Sequence, residues 1–139
     1  MLLLDTHAWI WTVEGEKSRV GPKARRMIAQ AAGQQVVRIS PMTVFEIVAL
    51  HTAGRLQLSQ PVEDWIDASL QQPGVRLAEL SRVAAVDAGF IPRAVLPDPV
   101  DRLLVATARA LDATLLTGDS AILSYAARTG NARVQDVAR

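Results

Sequence analysis

The chain contains no cysteine, which excludes disulfide bonds, thiol catalysis and thiolate zinc sites. It has two histidines, His7 and His51, too few for a histidine-rich metal centre. Charge of one sign is also missing: the net charge is +1, so the surface as a whole is not built to hold nucleic acid non-specifically, although a local basic patch is compatible with that balance. No window approaches the run of ~20 apolar residues that a membrane helix needs. The apolar start Met1-Leu2-Leu3-Leu4 meets Asp5 at once, far short of a signal peptide. The expectation is a soluble, cytoplasmic protein with no membrane partner.

Hydrophobic residues, by contrast, make up 50% of the 139 residues and charged ones 21%, enough for a real core and against disorder. One domain spanning 1–139 is expected. Leu2 to Leu4 read as a short buried strand, and Trp9-Ile10-Trp11 suggest a brief helix ending near Gly15. Pro22 stands early in a helix reaching Ala32 and closed by Gly33, and Val36 to Ile39 form a second strand. Ser40-Pro41 opens a helix to about Ala53, and Pro61 opens another from Val62 to Gln71. Val75 to Leu80 read as a strand, and Ser81 caps a helix from Arg82 to Phe90. A helix from Pro99 to Leu111, a strand from Ala113 to Thr117, a helix from Asp119 to Arg128 and a strand from Arg133 to Val137 complete the chain. Strands alternating with helices predict a three-layer α/β/α domain around a mainly parallel sheet, whose ligands bind beyond the carboxyl ends of the strands.

Four acids stand where acids need an explanation. Asp5 ends the first strand, and Asp119 lies two residues beyond Thr117; either serves equally well as a helix cap. Asp98 fits an N-cap before Pro99, which leaves Asp101 one turn inside a mostly apolar helix. Glu46 sits mid-helix among Met42, Thr43, Ala49 and Leu50, on a segment apolar nearly all round. A buried carboxylate there must be paired, protonated or metal-bound. The bland explanation is an ion pair with Arg102. If Asp5, Glu46, Asp101 and Asp119 converge, they cannot all stay ionised without cations, and an all-oxygen set suits Mg2+ or Mn2+ better than Zn2+. Such a site suits metal-assisted phosphodiester hydrolysis, with Thr6 and Thr117 as hydroxyls that orient water or a carboxylate.

Taken together, Leu3-Leu4-Asp5-Thr6-His7, Glu46 after Ser40-Pro41, the run from Asp98 to Ala108, and Leu116-Thr117-Gly118-Asp119 resemble a PIN domain, most closely the VapC-type ribonuclease toxins of prokaryotic toxin–antitoxin pairs. The resemblance covers nearly the whole chain. It implies a central parallel sheet, a metal-dependent endoribonuclease with its acidic site on Asp5, Glu46, Asp101 and Asp119, and Asp98 as an accessory. It also implies an RNA substrate, a homodimer and a cognate antitoxin that covers the active site. Many members carry His-Arg before the Asp-Pro, where this chain has Leu96-Pro97.

Lesser features are less specific. Lys17, Arg19, Lys23, Arg25 and Arg26 form either an RNA-backbone track or a solvated helix face. Arg102 either binds phosphate or holds Glu46 or Asp98 in place. The tryptophans Trp9, Trp11 and Trp65 stack bases, form a dimer or antitoxin groove, or pack the core, and His7 reads as structural. Two other functions compete with the nuclease. An aspartyl-phosphate phosphatase would want a second acid where His7 stands. A catalytically silent PIN-like module that binds RNA or protein would be expected to have lost one of the acids.

Overall fold

The computed structural model describes residues 1–139. Strand β1 (Leu2–Leu4) is followed by α1 (Thr6–Val13), α2 (Pro22–Gly33), β2 (Val37–Ile39), α3 (Pro41–Thr52) and α4 (Val62–Leu70). The second half comprises β3 (Val75–Leu77), α5 (Arg82–Phe90), α6 (Pro99–Leu111), β4 (Thr114–Thr117), α7 (Ser120–Thr129) and β5 (Val134–Asp136). All four strand pairings are parallel, in the order β3-β2-β1-β4-β5. The mainly parallel sheet expected from the alternation is wholly parallel.

The order follows from burial. β1 is apolar at all three positions and fully buried, so it belongs in the middle of a sheet covered on both faces. Leu2 and Leu4 pack on one face with Val37, Ile39, Trp9, Ile47 and Trp65; Leu3 packs on the other with Leu104, Leu115 and Ile122. Helices α1 to α4 thus cover the first face, and α6 and α7 the second. Helix α5 lies on α6 through Ala84, Ala88 and Ala106, small residues that allow close approach. Arg109 of α6 clamps this side: its guanidinium donates to both carboxylate oxygens of Asp87 on α5, at 2.9 and 2.8 Å, and to the Tyr125 hydroxyl on α7 at 3.1 Å.

Local chemistry sets the helix starts. Asp5, Ser40, Ser81, Asp98 and Asp119 are N-caps whose side chains accept backbone N–H groups, and Pro22, Pro41 and Pro99 open their helices. Three expectations shift. Helix α1 begins at Thr6, because Asp5 caps it directly. Gly33 does not close α2 but forms its last residue, and the left-handed position beyond falls to Gln35, with φ 60°. Strand β3 stops at Leu77 rather than Leu80, since it is an edge strand with Leu77 half exposed and little apolar surface to extend it. Gly74, before β3, has φ +81° and lies against the Ala32 carbonyl, so only glycine fits there.

The chain winds from β1 outward to β3, then returns to lay β4 on the other side of β1. The β1/β4 boundary is therefore the switch point at which helices leave the sheet on opposite faces, opening a crevice at the carboxyl ends of those two strands.

Candidate active site

Asp5 follows β1, Thr117 ends β4 and Asp119 follows it, so the fold delivers all three to that crevice. The first turn of α6 adds Asp98 and Asp101, and the middle of α3 adds Glu46. Asp5, Glu46, Asp98, Asp101 and Asp119 all line one open cleft of about 500 Å³. Of the four acids singled out in the sequence, none lies elsewhere.

Capping and site membership turn out not to be alternatives. Asp5 Oδ1 accepts the Ala8 N–H at 2.8 Å, while Oδ2 accepts the Thr117 hydroxyl. Thr117 Oγ1 in turn accepts the Asp119 N–H at 3.0 Å. Asp119 Oδ1 caps α7 through Ala121 N at 2.9 Å and Ile122 N at 3.0 Å, and Asp98 Oδ1 caps α6 through Val100 N at 2.9 Å. Each cap uses one oxygen; in Asp98 and Asp119 the second accepts no hydrogen bond from the protein. Asp101 and Glu46 accept none with either oxygen.

The electrostatics follow from this crowding. Burial raises the Asp5 carboxyl above its ordinary range, against the opposing pull of the Thr117 hydroxyl, the Ala8 N–H and His7. Asp101 is pushed up to about 7, first by burial and then by the charges of Asp119, Asp98, Glu46 and Asp5. Burial, and the cluster's resistance to a full complement of negative charge, thus bring one carboxyl near neutrality.

Other expectations change. Glu46 is half-buried rather than enclosed, because α3 turns Phe45, Val48 and Ala49 to solvent. The helix is apolar all round, yet only part of it faces the core. Arg102 pairs with neither Glu46 nor Asp98: the chain's three ion pairs are Arg19–Glu16, Arg109–Asp87 and Arg133–Asp112. Its contact with the Pro97 carbonyl is long, at 3.5 Å, and its Nε has no partner. Thr6 lines the cleft, with a buried hydroxyl lacking a partner, whereas Thr117 is the hydroxyl that engages a carboxylate. Leu96 is fully buried in the second core cluster, so at that position the chain uses packing.

His7, read from sequence as structural, and Trp11, for which the sequence leaves base stacking and core packing both open, stand in the cleft wall. The signal was available: with Asp5 as N-cap, His7 falls in the exposed first turn of α1, and Trp11 lies one turn further along the same face.

The donor set is all carboxylate apart from His7, which is the chemistry of a hard divalent cation. No three His, Cys, Asp or Glu side chains stand close enough to close directly around one ion. A hard divalent cation that binds through one or two carboxylates and keeps several waters is compatible with that spacing. The residues therefore fit such an ion with water completing its shell. No helix is long and apolar enough to cross a membrane.

Comparison with known proteins agrees with this architecture. The sequence profile of the PIN domain matches residues 2–128. Ribonuclease VapC22 of Mycobacterium tuberculosis is 32% identical over 124 residues, covering 89% of this chain and 91% of that one. Among solved structures, VapBC2 from Rickettsia felis, bound to a DNA fragment from its promoter, superposes with a TM-score of 0.68 at 14% identity, covering 96% of both chains. VapBC-1 from nontypeable Haemophilus influenzae gives a TM-score of 0.64 at 18% identity, covering 99% of this chain and 98% of that one. The profile match spans nearly the whole chain, and the chain belongs to the PIN-domain family, among its VapC-type members.

Proposed function

We propose that residues 1–139 act as one PIN-like domain, a metal-dependent endoribonuclease that serves in the cytoplasm as the toxin of a toxin–antitoxin pair. The observation that carries this reading is the cleft at the β1/β4 switch point, where five carboxylates meet and where burial, with the charges of the other four, lifts Asp101 to about 7. The relationship to Ribonuclease VapC22 supports RNA as the substrate class.

In this reading Asp5, Glu46, Asp101 and Asp119 hold Mg2+ or Mn2+ directly or through water, and Asp98 is an accessory at the rim. The bound ion would supply a nucleophilic water and stabilise charge on the phosphate and its leaving oxygen. The chain's own contributions are positional and electrostatic. Thr117 fixes Asp5 and the Asp119 backbone in one hydrogen-bonded chain, so two ligands from different segments keep their relative placement. One of the four acids also accepts the proton of the attacking water. Arg102, at the same helix start and in no ion pair, is available to a phosphate oxygen.

Protein partners have support as well. Val83, Val86 and Phe90 recur on one face of α5 and are exposed, Phe90 by 82%, while Phe45 on α3 is 62% exposed. Surfaces of this kind favour association, consistent with a homodimer and a cognate antitoxin.

The test is cleavage of a labelled pool of structured RNAs by purified protein with Mg2+, with Mn2+ and with chelator, beside Asp101→Asn purified identically. Discrete cuts that need metal and disappear in the variant are expected. Equal cutting by both proteins would overturn the site assignment. Metal binding without cleavage of any RNA would favour the silent binding module.

A further inference from the structure

Trp11 stands in the wall of the acidic cleft and also in the wall of a neighbouring cavity of about 270 Å³, shared with Lys17, Val20, Arg25 and Ile28. It differs from the other tryptophans. Trp9 and Trp65 are 2% and 0% exposed and pack edge-on in the core, whereas Trp11 is half-buried. Its ring rests against Gly118, where a Cβ would stand 3.4 Å from the indole, so the ring is seated beside the backbone entering Asp119.

The surroundings are basic. Lys17, Arg19, Lys23, Arg25 and Arg26 are all exposed. Arg25 shapes the loop, donating to the Lys17 and Val20 carbonyls at 3.2 and 2.6 Å. Lys17 has no ion pair, and Arg19 reaches Glu16 only at 4.0 Å while its guanidinium lies over the Trp11 ring at 5.1 Å. Without a bound cation the acidic cleft itself repels phosphate. A basic margin continuous with it gives the backbone of a nucleic acid somewhere to rest.

We propose that Trp11 and the adjoining Lys17–Arg25 cavity form a subsite for an unpaired RNA nucleotide flanking the bond that the acidic cleft acts on, with the base stacked on the indole and Lys17 and Arg19 taking the neighbouring phosphates. The inference rests on the ribonuclease reading for its ligand. Arg19 is held over the ring only by exposed, weak contacts, so it exchanges the indole for a charge-assisted bond to phosphate when a base arrives. Stacking tolerates any base but requires one free of a duplex, so the subsite selects single-stranded segments rather than a sequence.

The experiment is binding in EDTA, where metal-dependent cleavage does not intervene. Probes are short oligo(A) and oligo(U) RNAs and a blunt RNA duplex, read by anisotropy and by tryptophan emission. Because Trp9 and Trp65 are buried, quenching reports Trp11. Both single strands should quench emission and the duplex should not. Trp11→Ala should weaken single-strand binding by roughly 5- to 150-fold, and Trp11→Phe, which keeps a ring and guards against a folding defect, by much less. Lys17→Ala and Arg19→Ala should each lower the slope of log affinity against log salt by about 0.7. Absent quenching, or binding equal in wild type, Trp11→Phe and Trp11→Ala, would overturn the subsite. RNA that quenches Trp11 but is never cut with Mg2+ or Mn2+ would refute the ribonuclease reading and leave the subsite standing.

Discussion

Replacing Asp101 with asparagine should abolish cleavage and at the same time make the metal-free protein more stable. Its carboxyl is held at about 7, against 3.8 for an unperturbed aspartate, by burial and by four neighbouring acids. A folded-state value above the unfolded one means that the native protein keeps a proton which the unfolded chain releases. Stability therefore falls as pH rises from about 4 through about 7, and the full cost is present above that window. Three pKa units correspond to roughly 4 kcal/mol. The carboxyl is only partly buried, so solvent screening reduces this to about 2 kcal/mol. Asparagine keeps the shape without the charge. In chelator at pH 7.5, Asp101→Asn should raise Tm by about 5–10 °C, and the gain in free energy should shrink as the pH is lowered to 5. Mg2+ should act in the opposite sense: at ten times its Kd it stabilises wild type by about 1.4 kcal/mol, and it should stabilise the variant less. Differential scanning calorimetry across pH, with and without Mg2+, measures all of this. A variant no more stable than wild type at pH 7.5, or a gap that stays constant down to pH 5, would refute the crowding of charge on which the site assignment depends.

Thr117→Val removes the hydroxyl that holds Asp5 Oδ2 and accepts the Asp119 N–H. It should cost about 1–3 kcal/mol by urea melts and move the acid limb of the pH–rate profile upward, because that hydrogen bond pulls the Asp5 carboxyl down. Glu46→Gln should leave stability within ~0.5 kcal/mol, since Glu46 is half exposed and unpaired, while lowering cleavage about 100-fold and weakening Mg2+ binding in calorimetric titration. Arg109→Ala breaks the clamp to Asp87 and Tyr125 far from the cleft. It should cost about 2–4 kcal/mol in melts while leaving kcat below the melting transition within twofold.

Much of the fold was legible because its signals are local. Ser40-Pro41, Ser81 and Asp98-Pro99 each fix a helix start through one side chain and the next few N–H groups, and the structure places those starts where the sequence did. The apolar run of β1 likewise announced a buried strand. What failed was local evidence used for a non-local question. Apolarity all round α3 implied that Glu46 was enclosed, but a helix is buried only where something covers it, and Phe45 and Val48 face outward.

The sequence by itself determined the elements, the parallel sheet and which acids to suspect, because caps, prolines and hydrophobic periods act over a few residues. Only the tertiary structure decided that β1 and β4 lie side by side, and with that which residues share the cleft. Asp5 and Thr117 are 112 positions apart, and nothing within either segment encodes their hydrogen bond. The same packing leaves Arg102 without an acid, gives α5 an exposed apolar face and seats Trp11 against Gly118 at the edge of the core. Those outcomes follow from which surfaces the whole chain buries against one another, and no short stretch of sequence carries that information.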